Sequence, residues 1–261
     1  MRTPPKLIAL DIDGTLVNEA GTVSDAVMRA VSAAARRSHI VLATGRTAMG
    51  VAAVLDLLGL PDLTTVCSNG SVIRYPGGEL TVRTAFDPAP VVELLNEKVP
   101  GAVFAVEHPG VGNMYTSSFT QDELAGDLRQ VSLAELIAAK VPRMIAKWPE
   151  RTWQEINLAM ASVTLPGTVA TMDYGTNAWL TCVPTDTSKA AALEELRATL
   201  GVSNRDTAAI GDGTNDVEML SWAARGVAMG QAPDIVKAAA GAVTADIDSD
   251  GAAHALRKWF E

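Results

Sequence analysis

Short apolar runs alternate along this sequence with longer segments in which apolar residues recur at helical spacing. Leu7 to Leu10 is the first run, and helical spacing follows from Ser24 to Arg37. His39 to Ala43 is the second run, helical spacing follows from Thr47 to Leu58, and Thr64 to Cys67 is the third run. Short apolar runs of this kind are typical of strands that are buried on both faces. Their order predicts a parallel sheet with helices on both sides.

The alternation is interrupted between about Thr84 and Pro184. Just before the interruption, Gly77-Gly78 is predicted to turn a hairpin between Val72-Ile73 and Leu80 to Val82. Within it the sequence mixes short elements, punctuated by proline and glycine: predicted helices at Ala89 to Val99, Leu133 to Ala139 and Arg151 to Ala161, and predicted strands at Ala102 to Glu107, Arg143 to Lys147, Val169 to Tyr174 and Ala178 to Val183.

Regular alternation returns after the interruption. The predicted elements are a helix at Lys189 to Leu200, a strand at Thr207 to Ile210, a helix at Asn215 to Ala223, a strand at Gly226 to Met229, a helix at Pro233 to Ala239, a strand at Ala242 to Thr244 and a helix at Gly251 to Phe260. We therefore predict an α/β fold. Residues 1–83 and 185–261 form its doubly wound parallel-sheet core, and residues 84–184 form an inserted α+β domain, which is long enough to fold as a unit.

Composition narrows the functional classes. The 261 residues carry a net charge of -9, which argues against a nucleic-acid partner or an anionic membrane surface, because either would require a basic face. Cys67 and Cys182 lie far apart, so no disulfide framework or zinc cluster is visible. Asp11 interrupts the N-terminal apolar run, and no run of 18 apolar residues occurs. We expect a soluble cytoplasmic protein.

Two carboxylates follow the first predicted strand. Asp11 and Asp13 stand one residue apart where ligands bind in open α/β sheets. Two carboxylates so close are not both comfortably ionised without a cation or a shared proton. Gly14 and Thr15 then supply a tight turn, free backbone N–H groups and a hydroxyl. The pattern indicates a site, although an ordinary Asp-Gly turn would look similar.

Three further polar clusters occupy comparable positions. The segment Gly211 to Asp216 follows a predicted strand, so its oxygen donors should lie at the same sheet edge as Asp11 and could bind Mg²⁺. Thr44 also ends a strand, ahead of a helix, and could bind an anion or simply cap the helix. Lys189 begins the helix after the insert and could neutralise a phosphate, although a solvated lysine is the usual alternative.

Taken together, these motifs resemble the haloacid dehalogenase (HAD) superfamily of Mg²⁺-dependent aspartyl phosphotransferases. The matching residues are D-I-D-G-T at 11 to 15, Thr44 in T-G-R, Lys189, and G-D-G-T-N-D at 211 to 216. The position of the insert and the tail G-V-A-M-G-Q-A-P-D-I-V-K-A-A at 226 to 239 resemble the Cof-type branch with a C2 cap of type C2B. The resemblance implies a Rossmann-like HAD core with 84–184 as the cap.

The same resemblance implies roles for single residues. Asp11 would be the nucleophile that becomes an aspartyl phosphate, and Asp13 the general acid and then the general base. Mg²⁺ would be held by Asp11, by Asp212 and by the backbone carbonyl of Asp13, with Asn215 and Asp216 behind them. The phosphoryl oxygens would be bound by three residues, Thr44, Gly45 and Lys189.

Contacts with the rest of the substrate are less defined. In Cof-type relatives a loop that faces the substrate matches Asn69-Gly70, although a polar turn ahead of a hairpin would look the same. Arg46 is also ambiguous. Many relatives have glycine after the motif lysine, whereas Ala190 stands here, a change that should leave the chemistry intact.

The resemblance implies a Mg²⁺-dependent phosphomonoester hydrolase of a small phosphorylated metabolite, with a sugar phosphate as the first expectation. Flavin mononucleotide and pyridoxal phosphate remain alternative substrates. A phosphotransferase or phosphomutase on the same aspartyl phosphate is a second hypothesis, and a metabolite-binding module without catalysis is a third. The sequence does not indicate an oligomeric state.

Overall fold

A computed structural model of the chain describes residues 3–173 and 178–260. In chain order its strands and helices are β1 (Leu7–Leu10), α1 (Asp25–Ala35), β2 (His39–Ala43), α2 (Ala52–Leu58), β3 (Thr64–Cys67), β4 (Val72–Arg74), β5 (Leu80–Val82), α3 (Ala89–Lys98), β6 (Val103–His108), β7 (Gly112–Tyr115), β8 (Asp127–Gln130), α4 (Leu133–Leu136), β9 (Met144–Trp148), α5 (Trp153–Met160), β10 (Thr168–Asp173), β11 (Ala178–Pro184), α6 (Lys189–Thr199), β12 (Thr207–Gly211), α7 (Val217–Trp222), β13 (Gly226–Ala228), α8 (Asp234–Ala239), β14 (Ala242–Val243) and α9 (Gly251–Phe260).

The first sheet has the strand order β14-β13-β12-β1-β2-β3-β4-β5. Strands β14 to β3 of this order are parallel, and β4 and β5 extend the sheet in antiparallel fashion. β1 lies in the middle, with Leu10 in register with Ile210 of β12 and with Leu42 of β2. The predicted α/β class with a parallel sheet is therefore confirmed. The segments that follow β1, β2 and β12 meet at one edge of this sheet.

Both faces of the first sheet are buried, because alternate residues of its strands point in opposite directions. Ile8 and Leu10 pack in one cluster with α1, α2 and α9. Leu7 and Ala9 pack in a second cluster with α6, α7 and α8. All four side chains have no solvent exposure. β1 is consequently apolar along its whole length, and the polar residue Asp11 follows directly after it.

The second sheet has the order β10-β11-β9-β6-β7-β8, and its strands lie in the predicted insert. Its pairs are antiparallel except β7 with β8. One face packs against α3, α4 and α5, where Trp148 is fully buried and donates from its ring nitrogen to the carbonyl of Val99 at 2.9 Å. The other face is partly covered by Phe119 and Leu124.

The first and last residues of several predicted helices and strands differ from those in the structure. The helix predicted at Thr47 to Leu58 begins at Ala52, because the Thr47 hydroxyl accepts a hydrogen bond from the amide of Gly50 and holds a turn there. The helix predicted at Asn215 to Ala223 begins as a 3-10 turn and becomes α7 at Val217.

Within the insert, the helix predicted at Leu133 to Ala139 ends at Leu136, and the one predicted at Arg151 to Ala161 runs from Trp153 to Met160. The strand predicted to end at Tyr174 is described as far as Asp173, and Tyr174 lies outside the described residues. β7 and β8 were not predicted, since their polar sequences show no clear alternation. None of the described helices is long and apolar enough to cross a bilayer.

Candidate active site

Three carboxylates meet at the edge where β1 and β12 end. Asp11 follows β1, Asp212 follows β12, and Asp216 belongs to the 3-10 turn after it. One oxygen from each lies within 4.8 Å of the others. Asp11 is held in place because its amide donates to the carbonyl of Ile210 at 3.0 Å. The parallel register of β1 and β12 thus brings together residues about 200 positions apart in the sequence.

Lys189 lies between two of these carboxylates. Its Nζ donates to Oδ1 of Asp11 and to Oδ1 of Asp216, each at 2.6 Å, and its side chain has no solvent exposure. Ser188 caps α6, so Lys189 stands in the first turn. Burial opposes the charge on this amine, but the two carboxylates outweigh burial and raise its pKa. The interpretation of Lys189 as a solvated helix residue is therefore wrong.

Asp216 is fixed by hydrogen bonds to both of its oxygens. Oδ1 accepts from Lys189, and Oδ2 accepts from the amides of Asp212 at 3.0 Å and Gly213 at 2.9 Å. A Cβ at position 211 would lie 2.6 Å from the Asp216 carboxyl, so only glycine fits there. Asp216 therefore orients both Lys189 and the turn that carries Asp212.

The cluster favours a hard divalent cation. Burial, followed by repulsion from Asp216, raises the pKa of Asp11 well above its ordinary value although Lys189 opposes this. Burial also raises the pKa of Asp212, while a 2.9 Å hydrogen bond from Thr15 to its Oδ1 opposes the rise. Buried carboxylates that repel one another supply the charge and the oxygen ligands that Mg²⁺ prefers. The donor set fits such an ion.

Asp13 points away from this cluster towards Arg46. Its Oδ2 lies 2.9 Å from Nε of Arg46, and its Oδ1 lies 2.5 Å from Nη2, a two-pronged contact. The hydrogen bond with Asp13 raises the pKa of Arg46. The Asp13 side chain is 57% exposed. Asp13 is therefore separate from the three clustered carboxylates and is paired with Arg46. An exposed carboxyl of this kind can exchange protons with solvent or with a bound ligand.

Thr44 follows directly after β2 and lines the same cavity as Asp11. It is buried, its amide donates to the carbonyl of Val66 at 2.8 Å, and its hydroxyl accepts from the amide of Arg46 at 3.0 Å. Gly45 follows, and a Cβ there would lie 3.3 Å from Oδ1 of Asn69. That oxygen accepts a 2.9 Å hydrogen bond from Nδ2 of Asn215. The segments after β2, β3 and β12 are therefore joined across the site.

Gly70 has a packing role. Its φ is +108°, and a Cβ at this position would lie 2.3 Å from the carbonyl oxygen of Ser188. The turn of residues 68–70 can therefore rest directly against the start of α6, which positions Lys189. A polar turn ahead of a hairpin does not describe this segment fully, since it supports the helix that carries the buried lysine.

A cavity of about 330 Å³ opens above these residues. Its lining comes from both sheets. The segments that follow strands of the first sheet form one side, which we call the floor: Asp11, Asp13, Thr44, Gly45, Arg46, Asn69, Gly213 and Asn215. The second sheet forms the other side, which we call the roof: Arg143, Thr171 and Thr181. A wider cleft of about 730 Å³ lies alongside and shares Asn69, Thr171 and Asn215 with it. The sequence did not reveal the three residues from the second sheet, because they belong to no motif.

Glu107 of β6 connects the second sheet to the first. It is buried, and its Oε2 accepts a short hydrogen bond from the hydroxyl of Ser68 in the turn that supports α6. Burial raises the pKa of Glu107, while this hydrogen bond and the charge of Arg143 oppose the rise. A buried carboxyl at this junction ties the position of the second sheet to the floor of the cavity.

Comparison with known proteins agrees with this geometry. The family model for haloacid dehalogenase-like hydrolases matches residues 8–256. The 5-amino-6-(5-phospho-D-ribitylamino)uracil phosphatase YcsE of Bacillus subtilis (strain 168) is 30% identical over 266 residues, which cover 97% of this chain and 95% of YcsE. The phosphoglycolate phosphatase of Archaeoglobus fulgidus is 28% identical over 254 residues, covering 97% and 96%.

The chain is also similar to solved structures of this family. The chain matches a HAD subclass IIB sugar phosphatase with a TM-score of 0.81 and 28% identity, covering 98% of this chain and 99% of that one. The three relatives are named for different substrates.

Proposed function

Because the chain belongs to the haloacid dehalogenase-like hydrolase family and is a phosphatase of its Cof-type branch, we propose that it hydrolyses a small phosphorylated metabolite with Mg²⁺ through an aspartyl phosphate on Asp11. A sugar phosphate is the substrate class we propose first, which the sugar phosphatase among the structural relatives supports. The observation that carries the proposal is the buried lysine between Asp11 and Asp216, beside Asp212.

In the proposed reaction, a carboxylate oxygen of Asp11 attacks phosphorus and the ester bond to the leaving alcohol breaks. Asp13 gives its proton to the leaving oxygen, then takes a proton from the water that cleaves the aspartyl phosphate. Inorganic phosphate leaves and Asp11 is regenerated. The hydrogen bond from Lys189 fixes the Asp11 carboxylate, which supports Asp11 as the nucleophile because a fixed carboxylate needs no reorientation before it attacks. The exposed side chain of Asp13 supports a proton-transfer role.

The phosphoryl group would lie on the floor of the cavity. Thr44, Gly45 and Lys189 would bind its oxygens, where negative charge spreads as the bond breaks. Mg²⁺, when bound, would neutralise part of that charge, held by Asp11, Asp212 and the backbone carbonyl of Asp13. Asn215 and Asp216 would support these ligands from behind. The crowding of the three carboxylates supports a cation at this position.

We also propose that residues 84–184 act as a cap over a core formed by residues 1–83 and 185–261. The cavity lining supports this division, because Arg143, Thr171 and Thr181 of the second sheet cover the floor from above. A cap in this position would exclude bulk water during phosphoryl transfer and contact the leaving group. Arg46, Asn69 and Gly70 would then form or support the substrate side of the floor.

The test is phosphate release from a panel of phosphorylated sugars, flavin mononucleotide and pyridoxal phosphate. The reaction is run with Mg²⁺, with EDTA, and with the Asp11→Asn variant. We expect one compound to be hydrolysed far better than the others, and only by the wild-type chain with metal. Hydrolysis that persists in EDTA would remove the metal from the proposal. Phosphoryl transfer to an added sugar, in excess of phosphate release, would favour the phosphotransferase hypothesis.

A further inference from the structure

A groove of about 700 Å³ lies at the outer edge of the first sheet, along β14 and the last turns of α9. Three of its lining residues come just before strands: Arg37 before β2, Arg225 before β13 and Gly241 before β14. Because these strands are parallel to β1, the three residues lie at the amino-terminal end of the sheet, whereas Asp11 follows the carboxyl-terminal end of β1. This groove, which we call the α9 groove, is therefore separate from the proposed active site.

The α9 groove is basic. Arg37, Arg225 and Lys258 line it, and no aspartate or glutamate is among its described lining residues. The chain as a whole has 30 acidic residues against 21 lysines and arginines, so an average part of its surface carries more negative than positive charge. The groove is therefore a local region of positive potential, which attracts anions.

The contacts of these cations leave their charge without an acidic partner. A guanidinium nitrogen of Arg37 donates to the carbonyl oxygen of Phe260 at 3.3 Å, and its guanidinium carbon lies 4.7 Å from the centroid of the Phe260 ring. Arg225 donates to the carbonyl oxygen of Thr3 at 2.7 Å. Within residues 3–173 and 178–260, none of the three cations of the groove forms an ion pair with a carboxylate. An anionic ligand would supply the counter-charge through charge-assisted hydrogen bonds.

Aromatic and small residues form much of the remaining lining. Trp259 and Phe260 are half-buried, and both pack against the cluster formed with α1, α2 and α9. Gly226, Gly241 and Ala255 also line the groove and take up little of its volume. Rings that are already held by packing lose little conformational freedom when a flat ligand stacks on them. The groove therefore offers a ring-binding wall beside its basic groups.

A second copy of the chain suits the α9 groove less well than a small ligand does. β14 is the last strand of its sheet and Val243 on it is exposed, so this edge could pair with the same edge of another copy. Such a contact would be symmetric about a twofold axis and would bring two sets of the three cations together. Repulsion between like charges opposes that contact, whereas it favours a bound anion.

We propose that the α9 groove is a second binding site, for a small ligand that joins a flat ring to an anionic group. Arg225 and Lys258 bind the anion, and Trp259 stacks on the ring. A nucleoside monophosphate and an aromatic carboxylate both have this chemistry. The volume of the groove suits one such molecule. A ligand bound there does not reach Asp11, so this inference goes beyond the proposed function and does not depend on it.

The test separates the ring from the anion by titration calorimetry of the full chain. 2-Naphthoate has a ring and a carboxylate, 2-naphthalenemethanol has the ring alone, and acetate has the carboxylate alone. Adenosine 5′-monophosphate and adenosine form a second pair, in which the anion is a phosphate. All titrations are done in EDTA, because the clustered carboxylates of the active site repel anions when no metal is bound.

We expect the anionic member of at least one pair to bind about tenfold or more tightly than its neutral counterpart, the effect of a charge-assisted hydrogen bond. The pair with the larger ratio identifies carboxylate or phosphate as the preferred anion. Acetate should bind more weakly than 2-naphthoate. Equal affinities within both pairs, or no detectable binding of any probe, would overturn the inference.

Variants locate the binding. Arg225→Gln and Lys258→Gln should each weaken binding of the anionic probe by about 3- to 10-fold, because each removes one charged donor. Trp259→Leu keeps an apolar side chain without the ring and should weaken binding of the neutral probe as well. Arg257→Gln is the matched control. It removes one positive charge from an exposed neighbour of Lys258 on α9 that does not line the groove, and it should stay within about twofold of wild type.

Thermal melting checks that each variant is folded. Lys258→Gln, at an exposed position, decides the matter if Arg225→Gln or Trp259→Leu is not folded. Equal losses in Lys258→Gln and Arg257→Gln would show only a general attraction to the charge of α9, and would refute the site. A dimer in light scattering that Val243→Glu breaks up would assign the groove to a second copy, which also refutes it. Because the titrations measure binding without metal, they stand whether or not the chain hydrolyses a phosphomonoester.

Discussion

The floor and the roof of the cavity are built in different ways. The floor residues follow directly after strands β1, β2 and β12, so short motifs place Asp11, Thr44 and Asp212 at one edge as soon as the parallel sheet forms. Of the roof residues, Thr181 lies in β11 and Arg143 directly precedes β9, and the neighbours of both strands are set by pairing between distant segments. The position of the floor residues is therefore encoded in local sequence, whereas the position of the roof residues depends on how the strands of the second sheet pair.

The largest expected effect concerns the nucleophile on the floor. Asp11→Asn should lower kcat by about 10⁴-fold or more, because it removes the proposed nucleophile. The variant should stay folded, since it removes one of three carboxylates that repel one another. Phosphate release and thermal melting measure the two effects. The control is Asp56→Asn on an exposed face of α2, which should match wild type in both.

A second prediction tests the cation of the floor. Lys189→Met should lower the free energy of unfolding by about 3–5 kcal/mol, because it leaves Asp11 and Asp216 buried and unpaired. Lys98→Met, at a half-exposed position on α3, should change it by about 0.5 kcal/mol or less. Urea denaturation in EDTA measures both. If the two variants are equally stable, the buried ion pairs do not support the floor.

A third prediction tests how the floor is supported. Gly70→Ala should destabilise the fold by about 3 kcal/mol, since positive φ and the close carbonyl of Ser188 both oppose a side chain. Gly77→Ala is the matched control, with φ of +77° and open space around it, and should cost about 1 kcal/mol. Equal losses in chemical denaturation would show that the contact between the turn and α6 is not tight.

The smallest expected effect concerns Glu107, which joins roof to floor. Because burial raises its pKa in the folded chain above the unfolded value, the protonated carboxyl stabilises the fold at low pH. This contribution is complete below the unfolded pKa of about 4.3 and is lost as pH rises through the folded value. Arg143 and Cys67 are the titratable or charged neighbours with which Glu107 interacts.

Glu107→Gln should therefore flatten the fall in unfolding free energy as pH rises above about 4. Glu93→Gln, on the exposed side of α3, should leave the wild-type slope unchanged. Denaturation at a series of pH values measures the slopes. A wild-type slope in Glu107→Gln would mean that this carboxyl titrates equally in the folded and unfolded chains.

Local patterns explain what could be predicted. Short apolar runs predicted the strands of the first sheet, and helical spacing predicted its helices. The motif residues around Asp11 and Lys189 lie together, while their catalytic roles stay predictions. β7 and β8 could not be predicted, because their stability comes from pairing rather than from their own polar residues. The early part of the helix predicted from Thr47 failed because a side-chain hydrogen bond competes with helix formation.

The position of Arg143 above Asp11 could not be predicted for a different reason. It depends on the register of β9 against both β6 and β11, and on how the second sheet packs against the turn at Ser68. A shift of one residue in that register would turn Arg143 to the opposite face. No single segment carries this information.

The most direct test of the account is to locate the covalent phosphate. The wild-type chain is mixed with a labelled substrate identified in the panel, in the presence of Mg²⁺, quenched in acid within one turnover, digested and mapped by mass spectrometry. The account predicts phosphate on the peptide that contains Asp11, and none with EDTA or in Asp11→Asn. Phosphate on another residue, or wild-type turnover by Asp11→Asn, would contradict it.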